Sequence, residues 1–75
     1  MQDLIEYITK ALVDDLDSIS VTSRKDRGVI VYTLAVAEDE TGRVIGKDGK
    51  VANAIRVLLR VASIKSGTHT ALKIV

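Results

Sequence analysis

Apolar residues recur over the first dozen positions at the spacing of a helix. Leu4, Ile5, Ile8 and Leu12 lie one turn apart or adjacent, and Asp3 and Glu6 stand early, where a carboxylate meets the positive end of a helix dipole. The pattern then changes to a period of two. Ile19-Ser20-Val21-Thr22 alternates as a half-buried strand, Arg24-Lys25-Asp26-Arg27-Gly28 reads as a hairpin loop, and the β-branched run over residues 29–37 reads as a second strand. That run is apolar on both sides, as befits a central strand, with Tyr32, Leu34 and Val36 toward the helices and Val31, Thr33 and Ala35 on the other face. Glu38-Asp39-Glu40 opens a short helix ending at Gly46, and a long helix runs from about Lys50 to Lys65, where Ser66-Gly67-Thr68 stops it. The last residues, 69–75, alternate again with Leu72 and Ile74 inward. The chain therefore reads as one α+β domain over residues 1–75, in the order α-β-β-α-α-β, without linker or repeat.

The long helix carries more apolar surface than one sheet needs. At about 100° per residue, Asn53, Arg56, Arg60 and Ser63 cluster on a narrow polar stripe, and apolar side chains take up roughly 240° of arc. Val51, Ile55, Leu58 and Ala62 make the expected core seam. On one flank, Ala52 and Ile55 lie nearest the preceding loop. On the other, Val57, Val61 and Ile64 form a second stripe suited to burial against another subunit, unless the first helix and the sheet wrap around to cover it.

The densest chemical signal precedes that helix, in Val44-Ile45-Gly46-Lys47-Asp48-Gly49-Lys50-Val51-Ala52-Asn53. Gly46 can end the short helix in a left-handed conformation, and Gly49 opens the next with no Cβ in the way. The first amides of the second helix then point outward, and unpaired donors at a helix N-terminus attract anions. Lys47 and Lys50 add full charges beside them. A nucleotide-binding P-loop is excluded, since position 44 is not glycine and Lys50 is followed by valine.

Ile-Gly-x-x-Gly followed by Ala52 and Ile55 resembles the GxxG signature of KH domains, which clamp about four nucleotides of single-stranded RNA. The likeness spans the chain. Its length, Leu4-Ile5-Glu6-Tyr7-Ile8, Ala11-Leu12-Val13-Asp14 and Arg43-Val44-Ile45-Gly46-Lys47 all resemble the KhpA family of small bacterial KH proteins. The resemblance implies a type II KH fold, a three-stranded mixed sheet with three helices on one face and with the first strand of the β-α-α-β core parallel to the last. By the same resemblance, Arg43, Lys47 and Lys50 pair with phosphates, and Gly46, Asp48 and Gly49 form the loop. Val44, Ile45, Ala52 and Ile55 floor the base groove, with Asn53 and Arg56 beyond it and Arg24, Lys25 and Arg27 closing its far side. It further implies a homodimer through Val57, Val61 and Ile64, or a heterodimer with the larger bacterial KH protein KhpB. Roles in post-transcriptional regulation, RNA chaperoning and cell-envelope or cell-shape control also follow from it. Two positions depart from the family: Leu16 stands where proline is usual, and Asp48 sets a carboxylate in the phosphate loop.

Charge sharpens this reading. The net charge is only +1, but residues 1–42 hold four Lys/Arg against nine Asp/Glu, and residues 43–75 hold seven against one. A basic half containing the glycine loop is the electrostatic footprint of a nucleic-acid binder, although a solvated helix surface has the same composition. Only Tyr7 and Tyr32 are aromatic, too few for the stacking platform of an RRM or OB domain. No cysteine supplies a disulfide or thiolate site, the lone His69 has no evident catalytic partner, and Asp14, Asp15 and Asp17 lack the glycine and closing glutamate of a calcium loop. The reading is a cytoplasmic non-enzyme without metal or cofactor, small-molecule substrate or membrane partner. Two competitors remain: a DNA-reading helix-turn-helix, for which only Lys50 and Asn53 offer base-reading side chains, and an interaction module with vestigial RNA binding.

Overall fold

The structure, a computed structural model, describes residues 2–75. Helix α1 (Gln2–Leu12) leads through a single 3-10 turn, Leu16–Ser18, into strands β1 (Ser20–Asp26) and β2 (Val29–Ala35). A second 3-10 turn, Glu38–Glu40, runs into the short helix α2 (Thr41–Ile45). The turn Lys47–Gly49 then joins it to the long helix α3 (Lys50–Ser66), and β3 (His69–Ile74) closes the chain. The sheet order is β1-β2-β3, with β2 antiparallel to β1 and parallel to β3. This is the order and the parallel pairing that the resemblance implies. A parallel pair needs a long crossover, and α2 and α3 supply it.

The core lies between the sheet and the three helices. Ile5 of α1, Val44 of α2, and Ile55 and Leu59 of α3 close over Val21, Tyr32, Leu34 and Leu72, and Ile74 and Val36 pack at its margin. Tyr32, Leu34 and Leu72 thus face inward as their alternation predicts. Leu4, although in helical register with Ile5 and Ile8, sits at the surface. The hairpin is tighter than the five-residue loop expected. Strand β1 continues through Arg24 and Lys25 to Asp26, opposite Val29, so only Arg27 and Gly28 turn, both with positive φ. Two successive positive-φ residues match the twist of the flanking strands, and the shorter turn lengthens the ladder.

The seam of α3 also differs from expectation. Ala52, Ile55, Leu59 and Ser63 are buried, Val51 and Ala62 are only partly so, and Leu58 is exposed. The helix is rotated by a fraction of a turn because Ser63, assigned to the polar stripe, has a partner inside. Its hydroxyl donates to the Leu59 carbonyl at 2.7 Å and lies 2.6 Å from the Thr70 hydroxyl of β3. A satisfied serine costs little to bury. Gly67, in the left-handed conformation, ends the helix by donating its amide to the Ser63 carbonyl.

Candidate nucleic-acid interface

Helix α2 is one turn long and is held by its surroundings more than by itself. Val44 anchors it in the core, and the buried carboxylate of Glu40 ties its start to the segment after α1. Glu40 accepts the backbone amides of Asp14 at 2.6 Å and Asp15 at 3.0 Å, and the Arg43 guanidinium at 3.2 Å. Arg43 also donates to Asp14 at 3.0 Å. Arg43, expected to meet a phosphate, is thus already paired with two carboxylates. The hydrogen bond it donates to Asp14 and the charge of that carboxylate raise the Arg43 pKa above the ordinary guanidinium value, so it stays charged at any relevant pH. Its local role is to join α1's end to α2. Asp15 is likewise engaged, accepting the Ser18 hydroxyl at 2.7 Å. Among the described residues, no cluster of histidine, cysteine, aspartate or glutamate is placed to hold a metal.

The loop that follows contains three positive-φ residues, the first separated from the other two by Lys47. Gly46 adopts φ 76, ψ 172, Asp48 φ 58, ψ 24, and Gly49 φ 74, ψ 14. Gly46 is therefore not in the left-handed helical well expected for it but in a neighbouring region that is almost closed to side chains. Asp48 is one of the few non-glycine residues that tolerate the left-handed well, so the acidic departure in the loop has a conformational reason. Some of the amides here are satisfied within the loop. Gly46, Gly49 and Lys50 donate inward, to the carbonyls of Gly42, Gly46 and Lys47. The amides of Lys47 and Asp48 lie inside this turn, and those of Val51 and Ala52 follow in the first turn of α3. The exposed Lys47 and Lys50 flank them and form no ion pair among the described residues.

Beyond the loop, the side chains named for the groove separate into two groups. Val44, Ala52 and Ile55 are buried, so they support the surface from beneath and are not its floor, and Ile45 alone of the four is exposed. Asn53 and Arg56 are exposed on α3 and joined by a long 3.4 Å hydrogen bond. Past Arg56 a cleft of about 520 Å³ opens between α3 and β3, lined by Arg56, Leu59, Arg60, Ser63 and Ile64 on one wall and by residues 67–72 on the other. Arg60 and His69, which periodicity marked only as surface, lie in this basic cleft. No acidic side chain lines it. The opposite wall is thus β3 and the loop before it, in place of the hairpin. Register sets Val29, just past the Arg27-Gly28 turn, level with His69, so the hairpin stands beside the β3 end of this cleft without lining it.

The second stripe of α3 is open. Val57, Val61 and Ile64 are 55, 50 and 75% exposed, and Leu58 joins them at 47%. Neither α1 nor the sheet covers them. Leu58 belongs to this surface because the helix rotation that buries Ser63 carries it out of the core.

The sequence profile of the KhpA/KhpB KH domain matches residues 2–74. The chain is 40% identical over 74 residues to the RNA-binding protein KhpA of Treponema pallidum (strain Nichols), covering 99% of this chain and 92% of that one. It is 37% identical over 75 residues to the RNA-binding protein KhpA of Caldanaerobacter subterraneus subsp. tengcongensis, across the whole of both chains. The like-named protein of Clostridium acetobutylicum is 36% identical over 75 residues, again across both whole chains. No solved structure matches.

Proposed function

The chain belongs to the KhpA/KhpB KH-domain family, and from that premise we propose that it binds short single-stranded RNA segments without catalysing a reaction. The observation that carries this reading is the loop at residues 46–49. Its three positive-φ residues, Gly46, Asp48 and Gly49, lie beside the exposed Lys47 and Lys50, which form no ion pair among the described residues, and Arg56 and Arg60 line a cleft farther along α3. Phosphates would sit against Lys47, Lys50 and the amides at the start of α3, while Gly46 and Gly49 let the strand approach the backbone. Bases would rest on Ile45 and the adjoining α3 surface, held from below by Val44, Ala52 and Ile55. Asn53, Arg56 and Arg60 would extend the contact. With no aromatic platform, affinity per domain should be modest. Fluorescence anisotropy with a single-stranded RNA and a duplex DNA tests this: saturable binding of the RNA alone is expected, and preference for the duplex would overturn it.

A second reading concerns assembly and is favoured by the open stripe of Val57, Leu58, Val61 and Ile64. A contiguous apolar patch on a small protein marks an interaction site, and a two-fold dimer sets the same patch of each subunit against the other. We infer a homodimer, or a heterodimer with the larger family member KhpB, through this face. In this reading the protein works in the cytoplasm as an RNA chaperone or post-transcriptional regulator, with cell-envelope and cell-shape functions downstream. No helix among the described residues is long and apolar enough to cross a membrane.

A further inference from the structure

Arg24, Lys25 and Arg27 are exposed cations outside the groove wall expected of them. None forms an ion pair among the described residues, although Asp26 stands between them in the chain. Their placement is specific. Cross-strand partners share a face of the sheet, so Arg24 lies on the outer face with Val31 and Lys25 on the helix side with Ile30, while Arg27 sits in the turn itself. The tip of the hairpin is therefore basic on both faces and at its apex. Arg27 also holds φ 53, a left-handed backbone that glycine or asparagine adopts at lower cost. A long cation kept in that conformation, with no ion-pair partner in the fold, points to a contact outside it.

The tip stands where a strand of RNA would leave the groove. The glycine loop precedes the first turn of α3 and residues 67–69 follow its last, and the 17 residues of the helix span about 25 Å. A strand gripped at the loop and laid along α3 would emerge over residues 67–69. Register puts Thr70 level with Ile30 and Ile30 level with Lys25, so the Lys25 backbone lies about 10 Å from the cleft wall, two strand spacings away. We propose that Arg24, Lys25 and Arg27 form a second phosphate-binding site, which takes the RNA backbone beyond the nucleotides held in the cleft. The inference rests on the RNA-binding reading above. Cations that meet phosphates read no bases, so the site adds length dependence and salt dependence but no sequence preference.

Nitrogen-15-labelled protein, titrated with random-sequence single-stranded RNA of four and of twelve nucleotides, tests this by NMR. About four nucleotides fill a groove of this type, so both RNAs should shift the amides of residues 46–49, and only the longer should shift those of residues 24–28. Amides of residues 24–28 that stay still with both lengths, or move alike with both, overturn the second site and leave the groove intact. If neither RNA moves residues 46–49, the RNA-binding reading fails, and this inference with it. None of these outcomes needs a variant to fold. Removing the three charges together, as Arg24→Gln, Lys25→Gln and Arg27→Asn, should weaken binding of the twelve-mer roughly tenfold. It should also flatten the slope of log affinity against log salt by about 2, three contacts at about 0.7 each. Affinity for the four-mer should stay within about twofold, because charges beyond a Debye length of about 8 Å are screened. Asparagine suits the turn, so the variant should melt no lower than the parent. A folded variant that binds the twelve-mer as the parent does, or that loses both lengths equally, overturns the site.

Discussion

Val51 fills the space that a side chain at Gly46 would need. A Cβ built on Gly46 would lie 2.5 Å from Val51 Cγ2 and 2.9 Å from the Val51 backbone nitrogen. The first turn of α3 therefore presses directly on the residue that ends α2. This contact, together with φ 76, leaves no room for a side chain at Gly46. Gly46→Ala should destabilise the fold by about 2–4 kcal/mol, the sum of backbone strain and a clash that backbone cannot relieve cheaply. Urea denaturation measures it, and a loss below about 1 kcal/mol would show that the loop relaxes.

Lys47 has no such structural tie. Lys47→Asp leaves both residues between the glycines acidic and swings the charge there by two units. A unit pair at about 4 Å is worth roughly 1 kcal/mol in water and about 4 at surface-like screening. RNA affinity should therefore fall at least on the order of 30-fold, and the slope of log affinity against log salt should flatten by about 0.7. Melting should move little, as for most exposed loop substitutions. Unchanged affinity in a variant that melts like the parent would reduce residues 46–49 to a tight turn.

Asp48 separates conformation from charge. Asp48→Asn keeps a side chain that tolerates the left-handed well and removes the carboxylate beside the amides at the start of α3. RNA affinity should rise by about fivefold, equivalent to about 1 kcal/mol of relieved repulsion. A fall in affinity would mean that the carboxylate contributes a contact of its own.

Glu40 is a buried carboxylate with three donors. Glu40→Ala strands the Asp14 and Asp15 amides and frees Arg43 from one partner, so stability should drop by about 3 kcal/mol. Glu40→Gln keeps an acceptor for an amide and should cost less than half of that. Equal losses from the two variants would show that side-chain volume matters there and the hydrogen bonds do not.

Val61→Glu tests the open stripe. A charge buried without a partner is not tolerated in an apolar interface, whereas one on a solvated face is harmless. Light scattering at high micromolar concentration should show a dimer for the parent and a folded monomer for the variant. A monomeric parent ends the homodimer reading.

Element order, the direction each strand faces and the place of the glycine loop were legible because they are local. Period two in residues 29–37, period 3.6 around Leu4 to Leu12 and the spacing of Gly46 and Gly49 are read from neighbours in the chain. Even the tight hairpin had a local trace, since a residue followed by glycine, as in Arg27-Gly28, suits a two-residue turn. The rotation of α3 had none. Sequence counts Ser63 as polar and Leu58 as apolar, and only the approach of Thr70, seven residues on and across the cleft, makes burying the serine cheaper than burying the leucine. The occupation of Arg43 was hidden for the same reason, because Asp14 is 29 positions away. The chain's own pattern thus determined which elements form, in what order, and where a phosphate could be gripped. Which face of α3 turns inward and which cation is free for a ligand depend on groups that meet only when the sheet and helices close, and no period in the sequence records those meetings.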